Sequence, residues 1–149
     1  MELDEYFMEL ARKTAEESKE LSTKVGCVIV NENNDIVSIG CNNYVIDPTL
    51  EGIDNKISMR HLISVHAEMK ALISASKPIK NCKIYVTHAP CENCLKHLIT
   101  AGIKEIIYEQ LSTKTGFITQ EGRDAIIRMM KETNIKNRNM KGISYINDK

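Results

Sequence analysis

The chain has 149 residues, balances 20 Lys+Arg against 20 Asp+Glu, and is 42% hydrophobic. That length and apolar content suit one domain over 1–149 and exclude a disordered chain, and no apolar run approaches the roughly 18–20 residues of a membrane helix. Five cysteines, two of them in one Cys-x-x-Cys, follow an acidic start (Glu2, Asp4, Glu5) that lacks a signal-peptide pattern. This excludes a secreted disulfide scaffold and points to metal or redox chemistry in the cytoplasm.

Taken in chain order, Leu3, Phe7, Leu10, Ala11 and Ala15 have the spacing of a helix with one buried stripe. The β-branched run Val25–Val30 predicts a strand, and Ile36–Gly40, across the polar turn at Asn31–Asp35, its hairpin partner. Residues 41–60 read as a long polar loop with Pro48 and Gly52, of the length that connections reach when they carry function. Val65, Met69, Leu72 and Ile73 predict a helix over 65–75, and Lys83–Thr87 a strand. A helix over 92–101 ends at Gly102, a favoured cap, and a strand follows over 104–108. A loop with Thr113, Thr115 and Gly116 leads to a helix over 120–133, and Ile143–Ile146 predicts a last short strand. The order implies an α/β fold, one mixed sheet covered by helices on both faces, with the helix-linked strands parallel.

Charge is uneven along this order. Residues 1–20 carry Glu2, Asp4, Glu5, Glu9, Glu16, Glu17 and Glu20 against Arg12, Lys13 and Lys19, whereas 123–149 are as strongly basic. A basic tail suits nucleic acid or complementary surfaces within an oligomer. Zero net charge and the lack of an aromatic stacking platform in the tail favour the second.

Two short motifs carry the chemistry. His66-Ala67-Glu68 opens one helix, and Pro90-Cys91-Glu92-Asn93-Cys94 opens the next, directly after a strand. Cysteines three apart lie on one turn and can face one ion. With the imidazole they make three ligands of a tetrahedral zinc and leave the fourth position open, the pattern of a catalytic site. Glu68, two residues past the histidine, falls beside the ion without coordinating it, where it can carry a proton between water and substrate. A lone Cys-x-x-Cys also suits a redox pair or half a zinc ribbon, and a lone histidine is more often structural. The combination His-x-Glu with Pro-Cys-x-x-Cys is the signature of zinc deaminases. Cys27 and Cys82 read as core packing, Met129 and Met130 as core or interface, and His61 and His97 as surface or packing residues.

The chain resembles the deoxycytidylate (dCMP) deaminases of the cytidine deaminase superfamily. Beyond the metal motif, the resemblance rests on Tyr6-Phe7-Met8, Ser22-Thr23-Lys24-Val25-Gly26-Cys27-Val28-Ile29-Val30, Tyr85-Val86-Thr87 and Ala101-Gly102-Ile103-Lys104-Glu105. It implies a three-layer α-β-α sandwich on a roughly five-stranded mixed sheet. It also implies hydrolysis of dCMP to dUMP and ammonia, one zinc per chain on His66, Cys91 and Cys94, and Glu68 as proton carrier. By the same resemblance Ala67 and the stretch Thr87, His88, Ala89 and Pro90 border the base, and Asn42 meets the sugar. Lys24 is the phosphate partner, against the alternative of a solvated lysine. Members assemble as hexamers or other homo-oligomers. Departures are concentrated after the second strand, where Gly40-Cys41-Asn42-Asn43-Tyr44-Val45 replaces Gly-Tyr-Asn-Gly-x-Pro and weakens the expectation of dCTP and dTTP regulation. Only Cys41 and His61 stand where relatives place a second, structural zinc, so none is expected, and Phe117 is the one aromatic available to replace another family side chain. These departures keep dCTP or a modified deoxycytidylate open as substrate. A tRNA or single-stranded DNA deaminase, a non-catalytic zinc module and a redox disulfide are the remaining alternatives.

Overall fold

The computed structural model describes residues 2–53, 57–111 and 119–141. Helix α1 (Glu2–Ala15) has acids in its first turn and Arg12 and Lys13 in its last, matching the helix dipole at both ends. Strands β1 (Gly26–Val30) and β2 (Ile36–Cys41) form the expected hairpin. Beyond them lie β3 (Asn43–Tyr44), helix α2 (Ile57–Ile63), β4 (Ser64–Val65), helix α3 (Ala67–Ser74), β5 (Lys83–His88), helix α4 (Glu92–Ala101), β6 (Glu105–Gln110), helix α5 (Gln120–Thr133) and β7 (Lys136–Asn139).

The main sheet has five strands in the order β2-β1-β5-β6-β7. The β1 strand is antiparallel to both β2 and β5, whereas β5, β6 and β7 run parallel, linked through α4 and α5. Strand alternation divides the core into two layers. Val28, Val30, Tyr85 and Ile107 face Phe7, Met8 and Ala11 of α1. Cys27, Ile29, Ile84, Val86, Ile106 and Tyr108 face Ala67, Ala71, Leu95, Leu98, Ile126 and Met130 of α3, α4 and α5. The architecture is thus a three-layer α/β sandwich.

The structure departs from the sequence reading at three places. The stretch read as a loop holds β3 and α2, and β3 pairs with β4 as a separate two-stranded sheet. Val65 belongs to β4, so α3 begins only at Ala67. The last strand is Lys136-Asn137-Arg138-Asn139, which has no β-branched residue. Its register beside β6 is carried by the backbone, with Lys136 N donating to Lys104 O at 3.2 Å and Met140 N to Tyr108 O at 2.8 Å. Residues 143–146, read as a strand, and Thr113, Thr115, Gly116 and Phe117 lie outside the described residues.

One buried ionic network ties α1 to the sheet. Asp4, 7% exposed, accepts from the Tyr85 hydroxyl at 2.6 Å and from Arg138 Nη1 at 2.7 Å, while Arg138 Nε donates to Glu105 at 2.8 Å. The Arg138 hydrogen bond holds the Asp4 carboxyl below its ordinary range. A carboxylate whose folded pKa is depressed contributes stability above its unfolded pKa of about 4, and that contribution disappears as pH falls through the folded value. Asp4→Asn is therefore expected to cost about 1.5–3 kcal/mol at neutral pH. The cost should shrink as pH falls below about 4, where the unfolded carboxyl takes up its proton, and should vanish below the lower folded value. Urea midpoints at pH 7 and pH 3 check this, and an equal loss at both would contradict it.

Candidate metal centre and catalytic site

The site lies where α3 and α4 begin. Gly40 of β2 lets α3 approach closely: a Cβ there would stand 2.6 Å from the Ala67 carbonyl oxygen and 2.8 Å from Ala71 N. Ser38 Oγ donates to Ala71 O at 2.7 Å, and the buried Cys27 thiol donates to Ala67 O at 3.2 Å. These contacts set the start of α3, where His66 occupies the N-cap and Glu68 the first turn. The Pro90-Cys91 step ends the segment after β5, Cys91 caps α4 by accepting from Cys94 N at 3.5 Å, and Gly102 closes that helix at φ 96°.

His66 Nδ1 lies 3.3 Å from Cys94 Sγ and 3.6 Å from Cys91 Sγ. Among the described residues, these alone bring three metal-ligand atoms from His, Cys, Asp or Glu within 4.8 Å of one another. A tetrahedral zinc at about 2.3 Å from sulfur and about 2.1 Å from nitrogen keeps its ligand atoms about 3.6–3.8 Å apart, so the donor set fits that ion in both chemistry and spacing. Cys94 is buried, Cys91 half-buried and His66 exposed, which opens the centre to solvent on the histidine side.

Protonation follows from this crowding. Hydrogen bonds from Cys94 and then His66 hold Cys91 down to about 4, whereas the Cys91 thiolate and burial push Cys94 upward. The same thiolate raises His66 to about 9. Near neutral pH the metal-free site therefore holds one thiolate, one thiol and an imidazolium. Metal ligation requires both thiolates and a neutral imidazole. Zinc uptake is expected to expel about two protons, one from Cys94 and one from His66, and affinity should rise with pH, less steeply once His66 has titrated. Calorimetry in buffers of different protonation enthalpy reads the proton count; uptake without proton release would contradict it.

Glu68 is 4% exposed, and burial pushes it up to about 7 against the pull of its own backbone N–H. It lies within electrostatic reach of His66 and Cys91. A carboxyl titrating near neutrality is suited both to take and to give a proton.

The other expected site residues lie on α3, at the end of β5 and on the segments flanking the β1–β2 hairpin. Ala67 is buried between His66 and Glu68. Thr87, Ala89 and Pro90 are buried at the end of β5, with Ala89 N donating to Gln110 O at 2.7 Å. The Thr87 hydroxyl accepts from Gly26 N at 3.2 Å and lies 3.1 Å from His88 Nδ1. Burial lowers the His88 pKa and keeps the ring neutral. Lys24 is exposed on the segment entering β1. Asn42 is 8% exposed, and its side chain is engaged by Ser18, Thr23 and Val25. The sequence offered neither Ser18 nor Glu20 as a site residue, and Tyr44 only as part of the departing Gly40–Val45 string. Tyr44 donates to Glu20, which also accepts from Leu21 N at 2.9 Å. The only signal for them was the polar character of their segments.

A family model described as the cytidine and deoxycytidylate deaminase zinc-binding region matches residues 1–110. The chain is 38% identical over 116 residues to the deoxycytidylate deaminase of Homo sapiens and 40% identical over 115 residues to that of Mus musculus. In both cases the match takes in 72% of this chain but only 65% of the relative. Among solved structures, the dCMP deaminase of cyanophage S-TIM5 superposes with a TM-score of 0.69 at 24% identity, covering 93% of this chain and 98% of the phage chain. The same phage enzyme has been crystallised with dCMP and dUMP.

Proposed function

The chain belongs to the cytidine and deoxycytidylate deaminase family, and from that premise we propose that it hydrolyses the 4-amino group of dCMP, giving dUMP and ammonia. The observation that carries the reading is the three-ligand cluster of His66, Cys91 and Cys94 with a buried carboxyl, Glu68, two residues past His66 in the first turn of α3. The mammalian relatives and the phage enzyme, each named for dCMP, support that choice of substrate.

Held by His66, Cys91 and Cys94, zinc would supply Lewis-acid activation of water at neutral pH. The chain's own groups do the rest. Glu68 takes the proton from the attacking water and places it on ring nitrogen 3. As the carbon–nitrogen bond breaks, the second water proton passes through the same carboxyl to the departing amine. Water and cytosine thereby become uracil and ammonia without a redox step. The Thr87–Pro90 backbone, the half-buried His88 ring and Ala67 border the base. A three-ligand centre open toward solvent admits a small substrate, and a net charge of zero favours a nucleotide over a polynucleotide.

A deamination panel over dCMP, dCTP, CMP, deoxycytidine, methylated dCMP and cytosine-containing oligonucleotides tests the assignment. The highest kcat/KM is expected for dCMP. Preference for dCTP or a modified deoxycytidylate would move the substrate within the class, and preference for an oligonucleotide would overturn it.

A further inference from the structure

Glu92 lies between the two cysteines of the metal centre, in the first turn of α4, and its side chain turns toward α5. A Cβ at Gly122, in the first turn of α5, would stand 3.2 Å from both Cδ and Oε2 of Glu92. The carboxylate is thus lodged against the N-terminal turn of α5, and the missing side chain of Gly122 makes room for it. Thr119 caps the same turn, its Oγ1 accepting from Gly122 N at 2.9 Å. Oε2 of Glu92 is buried and finds no hydrogen-bond partner among the described residues. A buried acceptor without a donor is costly, so a carboxylate held in this place calls for another source of stabilisation. The positive ends of two helices supply it: Glu92 belongs to the first turn of α4 and lies against the first turn of α5.

This contact is placed to act on the metal. Cys91 and Cys94 share the turn with Glu92, Leu95 N donating to Cys91 O at 2.9 Å and Cys94 N to Cys91 Sγ at 3.5 Å. Further along, α4 and α5 meet in one buried cluster that includes Leu95, Leu98, Ile126 and Met130. Apolar contacts of that kind are non-directional. A carboxylate pinned between two helix ends sets the rotation of α4, and that rotation decides whether both sulfurs face one ion.

We propose that Glu92 is a positioning residue for the metal centre, its carboxylate locking the start of α4 onto α5 so that Cys91 and Cys94 face one ion. The coupling is reciprocal, so zinc in turn secures the first turn of α5 against opening. This rests on the reading of His66, Cys91 and Cys94 as a zinc site. Glu92 acts through the two cysteines and takes no part in proton transfer, which is the work of Glu68.

The test measures zinc affinity by chelator competition, and amide exchange of α5 with and without zinc. The proteins compared are wild type, Glu92→Gln, Gly122→Ala, the Glu92→Gln/Gly122→Ala double variant and Glu121→Gln. Glu92→Gln keeps the volume and removes the charge, and it is expected to weaken zinc binding about 5–10-fold, the scale of one partly buried charge at a helix end. Gly122→Ala keeps the charge but displaces the carboxylate. It should weaken binding in the same direction and add little in the double variant. Glu121, an exposed acid of the same α5 turn, is the control, and its replacement should leave zinc affinity within about 2-fold. Removing zinc from wild type should raise exchange over 120–126 by about 3-fold or more, and that difference should shrink in Glu92→Gln. Unchanged zinc affinity in Glu92→Gln would overturn the proposal. So would a loss in Glu92→Gln with none in Gly122→Ala and with α5 exchange indifferent to zinc, the pattern of plain charge attraction to the ion. Equal loss of stability with and without zinc would make Glu92 a structural residue only and overturn it as well. If a variant does not fold, the zinc dependence of α5 exchange in wild type decides: its presence supports the proposal and its absence overturns it. Wild-type protein that takes up no zinc removes the zinc reading itself, whereas tight zinc binding shared by wild type and all variants removes only the role of Glu92.

Discussion

Glu68→Gln is expected to keep its zinc and its fold and to lose dCMP deamination by about 10²–10⁴-fold in kcat, the range for a positioned general acid–base. Glutamine matches the volume of glutamate, so the buried position is refilled rather than emptied. Glu68 supplies no ligand atom to the His66, Cys91 and Cys94 cluster, so metal content should not change. What is lost is a group that can exchange a proton at neutral pH. Burial keeps the Glu68 pKa near 7, where the acid and base forms are both populated. At 1.36 kcal/mol per decade the loss corresponds to about 3–5 kcal/mol of transition-state stabilisation. Product formation, zinc per chain and circular dichroism on one preparation give the answer. A variant that retains its rate within a few-fold would remove Glu68 from the chemistry, and a variant that loses zinc would make it a ligand or a structural residue.

Gly26→Ala should produce the largest loss of stability. A Cβ at Gly26 would stand 2.1 Å from Ala11 O and 2.5 Å from Ala15 N, both backbone atoms of α1 that cannot rotate away. Relief requires α1 to lift from β1, which opens the layer formed by Phe7, Met8, Ala11, Val28 and Tyr85. A cost of about 3 kcal/mol or more is expected, at or above the top of the usual overpacking range and a large share of a typical domain's stability. Gly52 is the control. It has φ 90° but nothing among the described residues within 4 Å of its Cβ position, so Gly52→Ala should cost only about 1–2 kcal/mol of backbone strain. Urea midpoints of the two variants decide the matter; equal losses would show that α1 does not press on Gly26.

The metal motif was legible because it is local. His66 and Glu68 are two apart, Cys91 and Cys94 three apart, and each pair opens a helix, so spacing alone orients them. The hairpin of β1 and β2, the strands β5 and β6, and the helices α4 and α5 were legible for a similar reason: each has a clear period and punctuating Gly, Pro or Asn. The rest depends on contacts that spacing does not encode. The two-residue strands β3 and β4 exist through each other, and β7 is polar throughout and is added by backbone pairing to β6. The hydrogen bonds of Asn42 were hidden because Ser18, Thr23 and Val25 reach it only after the chain has folded back. Cys27, read as packing, is indeed buried, but its thiol also bonds the carbonyl that precedes Glu68. Strand alternation predicts the first and says nothing of the second.

Oxygen transfer from solvent tests the central claim most directly. Zinc-loaded protein is incubated with dCMP in 18O-labelled water, and the product is weighed by mass spectrometry, with Glu68→Gln alongside. Hydrolytic deamination predicts dUMP carrying one solvent oxygen on the ring carbon that bore the amine, formed by the wild type and slower by at least about 100-fold in the variant. Folded, zinc-loaded wild-type protein that forms no dUMP, or forms it without the label, would contradict the account.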